Sequence, residues 1–172
     1  AGAAGDELRG GCGARRAGAG DGVDTGVGGD KLSWDIFVQD VPVDAKKIAD
    51  IPDDFKPAPI GKHSDVIQKI KEIVPFADFT DPEWGLIDGE GFSIEVNIPA
   101  DDDLLMGFAF HVRGGVTAVG IIADILDQLG LRAIDGGSDT GFFDRDKAQA
   151  SLLRWRAYRD QVINAPRSDD QS

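Results

Sequence analysis

Phe92-Ser93-Ile94-Glu95-Val96-Asn97-Ile98, followed after Pro99-Ala100-Asp101-Asp102-Asp103 by the run from Leu104 to Arg113, decides the fold of this chain. The first segment alternates apolar and polar residues without a break, the pattern of a strand with one buried face. In the second, Met106, Phe108, Phe110 and Val112 fall on one side. Paired as a hairpin, the two segments put Ile94 and Phe108 on the same face. The opposite face then carries Ser93, Glu95, Asn97, Gly107, Ala109, His111 and Arg113.

Working outward, Gly114-Gly115 precedes a strongly apolar helix from about Val116 to Leu129. Its wide apolar face (Val119, Ile122, Ile125, Leu126, Leu129) marks a central core helix, and Gly130 supplies the left-handed residue that ends it. Upstream, Trp84 to Asp88 reads as a short strand, turned by Gly89-Glu90-Gly91. A helix before it has Ser64 as N-cap, Asp65 in its first turn and Val66, Ile67, Ile70, Ile73 and Val74 at helical spacing, closed by Pro75. Trp34 to Gln39 forms the first strand, with Trp34, Ile36 and Val38 on one face and Asp35, Phe37 and Gln39 on the other. Pro42, Pro52, Pro57 and Pro59 mark the stretch up to Lys62 as a long ordered loop with one helical turn within 44–50, the kind of insertion that often carries function. Downstream, Leu131 to Ile134 is a short strand. A third helix runs from Asp144 to Ile163, with Leu152, Leu153, Trp155, Tyr158 and Val162 as its apolar residues. The order β-α-β-β-β-α-β-α with a central antiparallel hairpin predicts an α+β domain, a mainly antiparallel sheet with two or three helices on one face.

Composition changes abruptly near Asp30. Before it, Gly, Ala, Arg and Asp dominate, with no aromatic residue, no Ile and no hydrophobic period, so residues 1–31 cannot bury enough apolar surface to offset chain entropy. Gly, Ala and Arg belong to GC-rich codons, and the only Met is Met106. Residues 1–31 therefore read as a disordered leader of translated upstream sequence, with Leu32 as the native start read as Met. A Gly-rich linker is the rival reading. A targeting peptide fits poorly, because no apolar core is present and Asp6, Glu7, Asp21, Asp24 and Asp30 interrupt the segment. The domain is expected over 32–164 and a flexible tail over 165–172.

The formal charge of −13 argues against nonspecific nucleic-acid binding, which needs clustered Lys and Arg, and favours a basic partner. The single cysteine, Cys12, lies in the leader, so no disulfide framework or Cys-based metal site can form, and a reducing cytoplasm is the expected compartment. No apolar run approaches the roughly 20 residues that span a bilayer, so no membrane role is expected.

The segments SWDIFVQD (33–40), IADIPDDF (48–55), IGKHSDVI (60–67), WGLIDGEGFSIEVN (84–97), FAFHVRGG (108–115) and SDTGFF (138–143) resemble a family of short bacterial proteins whose members begin Met-Ser-Trp-Asp-Ile. The resemblance covers about Ser33 to Asp144. It implies a bacterial origin and a start at Leu32; it carries no assigned activity.

The leading site is His111-Val112-Arg113-Gly114-Gly115, where a strand runs through two glycines into a helix N-terminus. Arg113, Gly114 and Gly115 could hold a carboxylate or phosphate there. The plainer reading is a tight strand-to-helix turn with Arg113 paired to Glu95 or Asp35. Glu95 and His111 make an acid–base pair if the strand register brings them together. His63 and His111 lack a third metal ligand, so no metal or cofactor is expected. Asp139-Thr140-Gly141 matches the aspartic-protease triplet but follows glycines instead of an apolar strand, which makes it a loop. Asp101-Asp102-Asp103 reads as an acidic turn before it reads as a calcium site. Trp84, Phe76 or Phe79 would mark an interface if exposed. Together these features favour a small acidic protein-binding module, immunity-type or regulatory. The alternative is a small enzyme or binding protein for an anionic molecule, with His111 as acid–base group, Glu95 orienting it and Arg113 holding the anion.

Overall fold

The computed structural model describes residues 33–100 and 104–165. The leader 1–31, the Asp101-Asp102-Asp103 turn and nearly all of the 165–172 tail lie outside the described residues. The elements in chain order are β1 (Trp34–Gln39), β2 (Gly61–Lys62), α1 (His63–Ile73), β3 (Trp84–Gly89), β4 (Phe92–Asn97), β5 (Leu104–Leu105), β6 (Gly107–Gly114), α2 (Thr117–Leu129), β7 (Arg132–Asp135) and α3 (Arg145–Asn164). The main sheet has the order β3-β4-β6-β1-β7, with every pairing antiparallel, and β2 pairs with β5 in a separate ribbon. The class is α+β, as the pattern of the central strands predicts.

Alternation decides what each face does. Trp34, Ile36 and Val38 of β1, Phe92, Ile94 and Val96 of β4, and Phe108, Phe110 and Val112 of β6 point inward and merge into one core with Val66 and Ile70 of α1, Val119, Ile122 and Ile125 of α2, and Ala148 and Leu152 of α3. In β6 against β4, Ile94 faces Val112, Glu95 faces His111 and Val96 faces Phe110. The register holds firmly because a one-residue slip would carry the whole inward set into water. α2 is the most buried helix and ends as its sequence predicts: Gly130 sits at φ 64, ψ 32, and its N–H donates to the carbonyls of Leu126 and Asp127.

Three local expectations are corrected. Residue 106 interrupts the strand expected from Leu104 to Arg113. Leu104–Leu105 pairs instead with Gly61–Lys62, and Met106 is exposed while Leu105 is buried. The two-residue ribbon takes Leu105 inward, which inverts the alternation on that side of the break. Ser64 is not the N-cap of α1. Lys62 occupies that position without a side-chain cap, because β2 leads straight into the helix and starts it two residues early. Helix α3 is long, but only its first half is anchored. Asp144 caps it by accepting from the Asp146 N–H at 2.9 Å, Arg145 reaches Asp124 and Asp127 of α2 at 2.8 Å each, and beyond Leu152 the residues Leu153, Tyr158, Val162 and Ile163 are exposed. The hydrogen bond it donates to Asp124 raises the Arg145 guanidinium above its ordinary pKa. Amide hydrogen exchange should therefore be fastest in α3 over 157–164 and slowest in α2, since local opening follows apolar burial. Equal protection along α3 would contradict this.

The long loop after β1 has its own small core of Val41, Ala45 and Phe142, with Ile51 against it. Its helical turn is a 3-10 turn at Ile48–Asp50. Arg132 stacks on Phe142 at 4.0 Å and donates to the Pro42 carbonyl, tying this loop to β7.

Candidate functional site

The helices bury the inward face of the sheet and leave the outward face in contact with water. Its cross-strand rows follow from the register. Leu86, Glu95, His111 and Asp35 form one row, and Trp84, Asn97, Ala109, Phe37 and Ile134 form the next. A sheet face turned to solvent usually carries polar residues. Here Trp84 and Phe37 are each 48% exposed, and Leu86 is exposed beside Trp84.

Beside the row of the two aromatics lie two ion pairs. The His111 Nδ1–H donates to Asp35 Oδ1 at 2.7 Å, and the Ser33 hydroxyl donates to the same oxygen at 2.5 Å. Arg113 donates to Glu95 Oε1 at 3.0 Å. All four charged side chains are only partly buried, the range in which an ion pair adds about 0–1 kcal/mol. They orient the face more than they stabilise it. The His111 ring lies against Trp84 with centroids 5.8 Å apart, so the Asp35 contact also helps position the indole. Trp84, Gly85, Leu86 and Glu95 line a cleft of about 420 Å³ on this side of the sheet.

The expected site residues are thus neighbours, in an arrangement of their own. Glu95 and His111 do face each other across β4 and β6, yet the partner that holds the imidazole is Asp35 and Glu95 holds Arg113. Serine, aspartate and histidine occur together, but Asp35 sits between Ser33 and His111, so the hydroxyl is not placed against the imidazole as a nucleophile needs. Gly114 and Gly115 are packed against the β3–β4 turn: a Cβ on Gly114 would lie 2.3 Å from the Gly91 carbonyl oxygen, and the Gly115 N–H donates to that oxygen at 2.8 Å. Within α2's first turn, Ala118 and Val119 already donate to the carbonyls of Gly115 and Val116.

Other marked residues have local roles. His63 Nε2 donates to the Pro82 carbonyl at 3.0 Å, and among the described residues no group of three or more His, Cys, Asp or Glu is placed to hold a metal. Asp139-Thr140-Gly141 lies in the turn between β7 and α3, where Thr140 Oγ1 accepts from Phe142 and Gly141 leaves room for Ile48. Phe76 is exposed, whereas Phe79 packs beneath Gly85. Asp78 pairs its backbone with Leu86 along the outer edge of β3, and the Thr80 hydroxyl and N–H hold its carboxyl below the usual range.

A second cleft, also about 420 Å³, lies where β7 ends beside β1, lined by Trp34, Phe37, Trp155, Tyr158 and Arg154 among others. At its base is Asp135, 1% exposed, which the sequence reading passed over. Its carboxylate accepts from the Trp34 indole at 3.0 Å, the Gly137 N–H at 2.9 Å and the Ser151 hydroxyl at 2.6 Å. This cluster ties β1, β7 and α3 together.

The architecture defines an α+β protein with one helix-covered and one open sheet face. No family model matches the chain, and no curated protein or solved structure matches it. No helix among the described residues is long and apolar enough to cross a membrane.

Proposed function

We propose that this chain is a protein-binding module, immunity-type or regulatory, that acts in the bacterial cytoplasm on a basic partner through the open face of its sheet. The observation that carries this reading is the exposure of Trp84 and Phe37 on that face, with Leu86 beside them. Large aromatic residues in water are what the core of a protein interface requires, and the polar groups beside them suit its specificity. The charge of −13 would accelerate encounter with a basic partner.

A second reading, an enzyme or binding protein for an anionic molecule, draws on the 2.7 Å Asp35–His111 contact, which would hold an imidazole for proton transfer. It has weaker support, because Arg113 already contacts Glu95 and the space beside Gly114 is taken by the Gly91 carbonyl.

Affinity capture from a bacterial lysate tests the choice, with the full chain immobilised at low and high salt. Alongside it go a Phe37→Ala, Trp84→Ala double variant and an Ile163→Ala control near the end of α3, an exposed residue that lines neither cleft. The expected result is one basic protein, retained by the control and depleted about tenfold or more by the double variant, the loss typical of interface aromatics. Capture that ignores the double variant would remove the sheet face from consideration. An empty capture would shift the weight to the anionic ligand.

A further inference from the structure

We infer that the cleft beside Trp84 receives an arginine side chain from a basic segment of the partner, a proposal that rests on the protein-binding reading above. The cleft has apolar walls from Trp84 and Leu86 and one carboxylate, Glu95. An arginine combines an apolar stem with a flat, weakly hydrated cation that stacks on indole, and so matches both parts. Trp84 is half exposed, and its ring is steadied by His111, itself held by Asp35.

Charge decides against other occupants. Between Lys71 and Pro99, the stretch that builds β3 and β4, the chain has seven acidic residues and no Lys or Arg. Asp88 shares the outward side of β3 with Trp84 and Leu86, while the nearest cation on the face, Arg113, lies against Glu95. An anion placed here would meet Glu95, with Asp88 further along the same side of β3. A purely apolar group would strip water from Glu95 and return nothing to it. The pairing of arginine with an aromatic ring occurs in this chain's own residues: the Arg132 guanidinium lies over Phe142 at 4.0 Å and that of Arg159 over Trp155 at 5.3 Å.

The test is titration of the isotope-labelled full chain, followed by amide and indole NMR. The probe is a glycine-spaced peptide with two arginines, run against the same peptide with citrulline in their place. Saturable shifts are expected at the Trp84 indole and at Gly85, Leu86 and Glu95. The citrulline peptide should bind about 3–30-fold more weakly, Trp84→Ala should lose the saturable response, and Trp84→Phe should keep part of it. The spectra also report whether each variant stays folded. Equal binding of both peptides, or shifts spread over the acidic surface and unchanged by Trp84→Ala, would overturn the proposal. So would a self-associated chain that Trp84→Ala returns to monomer, since the occupant would then be a second copy. If the arginine peptide fails while lysate capture still depends on Phe37 and Trp84, this inference falls and the protein-binding reading stands. If capture is also indifferent to those residues, the reading itself falls.

Discussion

Replacing Gly114 with alanine is expected to destabilise the protein by about 3 kcal/mol or more, the sum of a strained backbone and an overpacked contact. Gly114 has φ +99, which side-chain-bearing residues rarely adopt, and its new Cβ would lie 2.3 Å from the Gly91 oxygen and 2.7 Å from the Phe92 Cα. Both neighbours are backbone in the β3–β4 turn, so neither can rotate away. Gly115→Ala is the matched comparison. Its Cβ would come only within 3.4 Å of the same oxygen, at an ordinary φ, and its cost should stay near 1 kcal/mol or below. Urea unfolding of the two variants measures the difference directly. Equal losses would show that the double glycine is not there to admit the turn. Against a total stability of roughly 5–15 kcal/mol, the Gly114 effect is large enough to read without ambiguity.

That prediction also shows where sequence reading succeeds and where it stops. The period of two in β4 and β6, and the spacing of Val119, Ile122 and Leu126, reflect burial directly, and the inward face and α2 were therefore legible. The glycines of His111-Val112-Arg113-Gly114-Gly115 were legible as a turn, but not what fills the space beside them, because Gly91 reaches it only once β4 lies against β6. The same holds for charge. Arg113 had two candidate partners in sequence, Glu95 and Asp35; both lie opposite His111, on β4 and on β1, and the side chains sort themselves so that Asp35 takes His111 and Glu95 takes Arg113, a choice the register alone does not make. The placement of β1 between β6 and β7 joins segments far apart in the chain, and no local pattern encodes it.

Some signals were present and had a plain reading. Phe37 stood on the polar side of β1 beside Asp35 and Gln39, a large apolar residue on the wrong face for a core strand. Its exposure is now part of the candidate interface. In α3, Leu153, Tyr158 and Val162 follow a helical rhythm, yet they remain exposed: only Ala148, Ser151 and Leu152 of this helix are buried. A rhythm reports a face; whether anything covers that face depends on the rest of the fold.

Asp135 gave no signal at all, and its replacement by alanine should be the most damaging polar substitution in the domain, at about 3–5 kcal/mol. Its three donors come from Trp34, 101 residues away, from Ser151, 16 residues away, and from Gly137 nearby, and none of them is a cation. Alanine would leave the indole N–H, the hydroxyl and one backbone N–H without their acceptor in a site only 1% exposed at its centre. Asparagine keeps the shape and the oxygen that takes the Trp34 and Gly137 donors, and the Ser151 hydroxyl can turn to accept from its amide, so only about 1 kcal/mol should be lost. Trp34→Phe, which removes one donor and keeps a ring, should lose about 1 kcal/mol. Combined with Asp135→Ala it should add less than the sum, because the indole no longer has an acceptor to lose. Urea unfolding of the four proteins closes that cycle. Hydrogen exchange adds a spatial readout: the first half of α3 should lose protection before α2 does, since Ser151 is its polar tie to the sheet while α2 keeps Ile122 and Ile125 in the core. A loss below 1 kcal/mol for Asp135→Ala, or a strictly additive double variant, would mean that the buried carboxylate is not what joins α3 to β1 and β7.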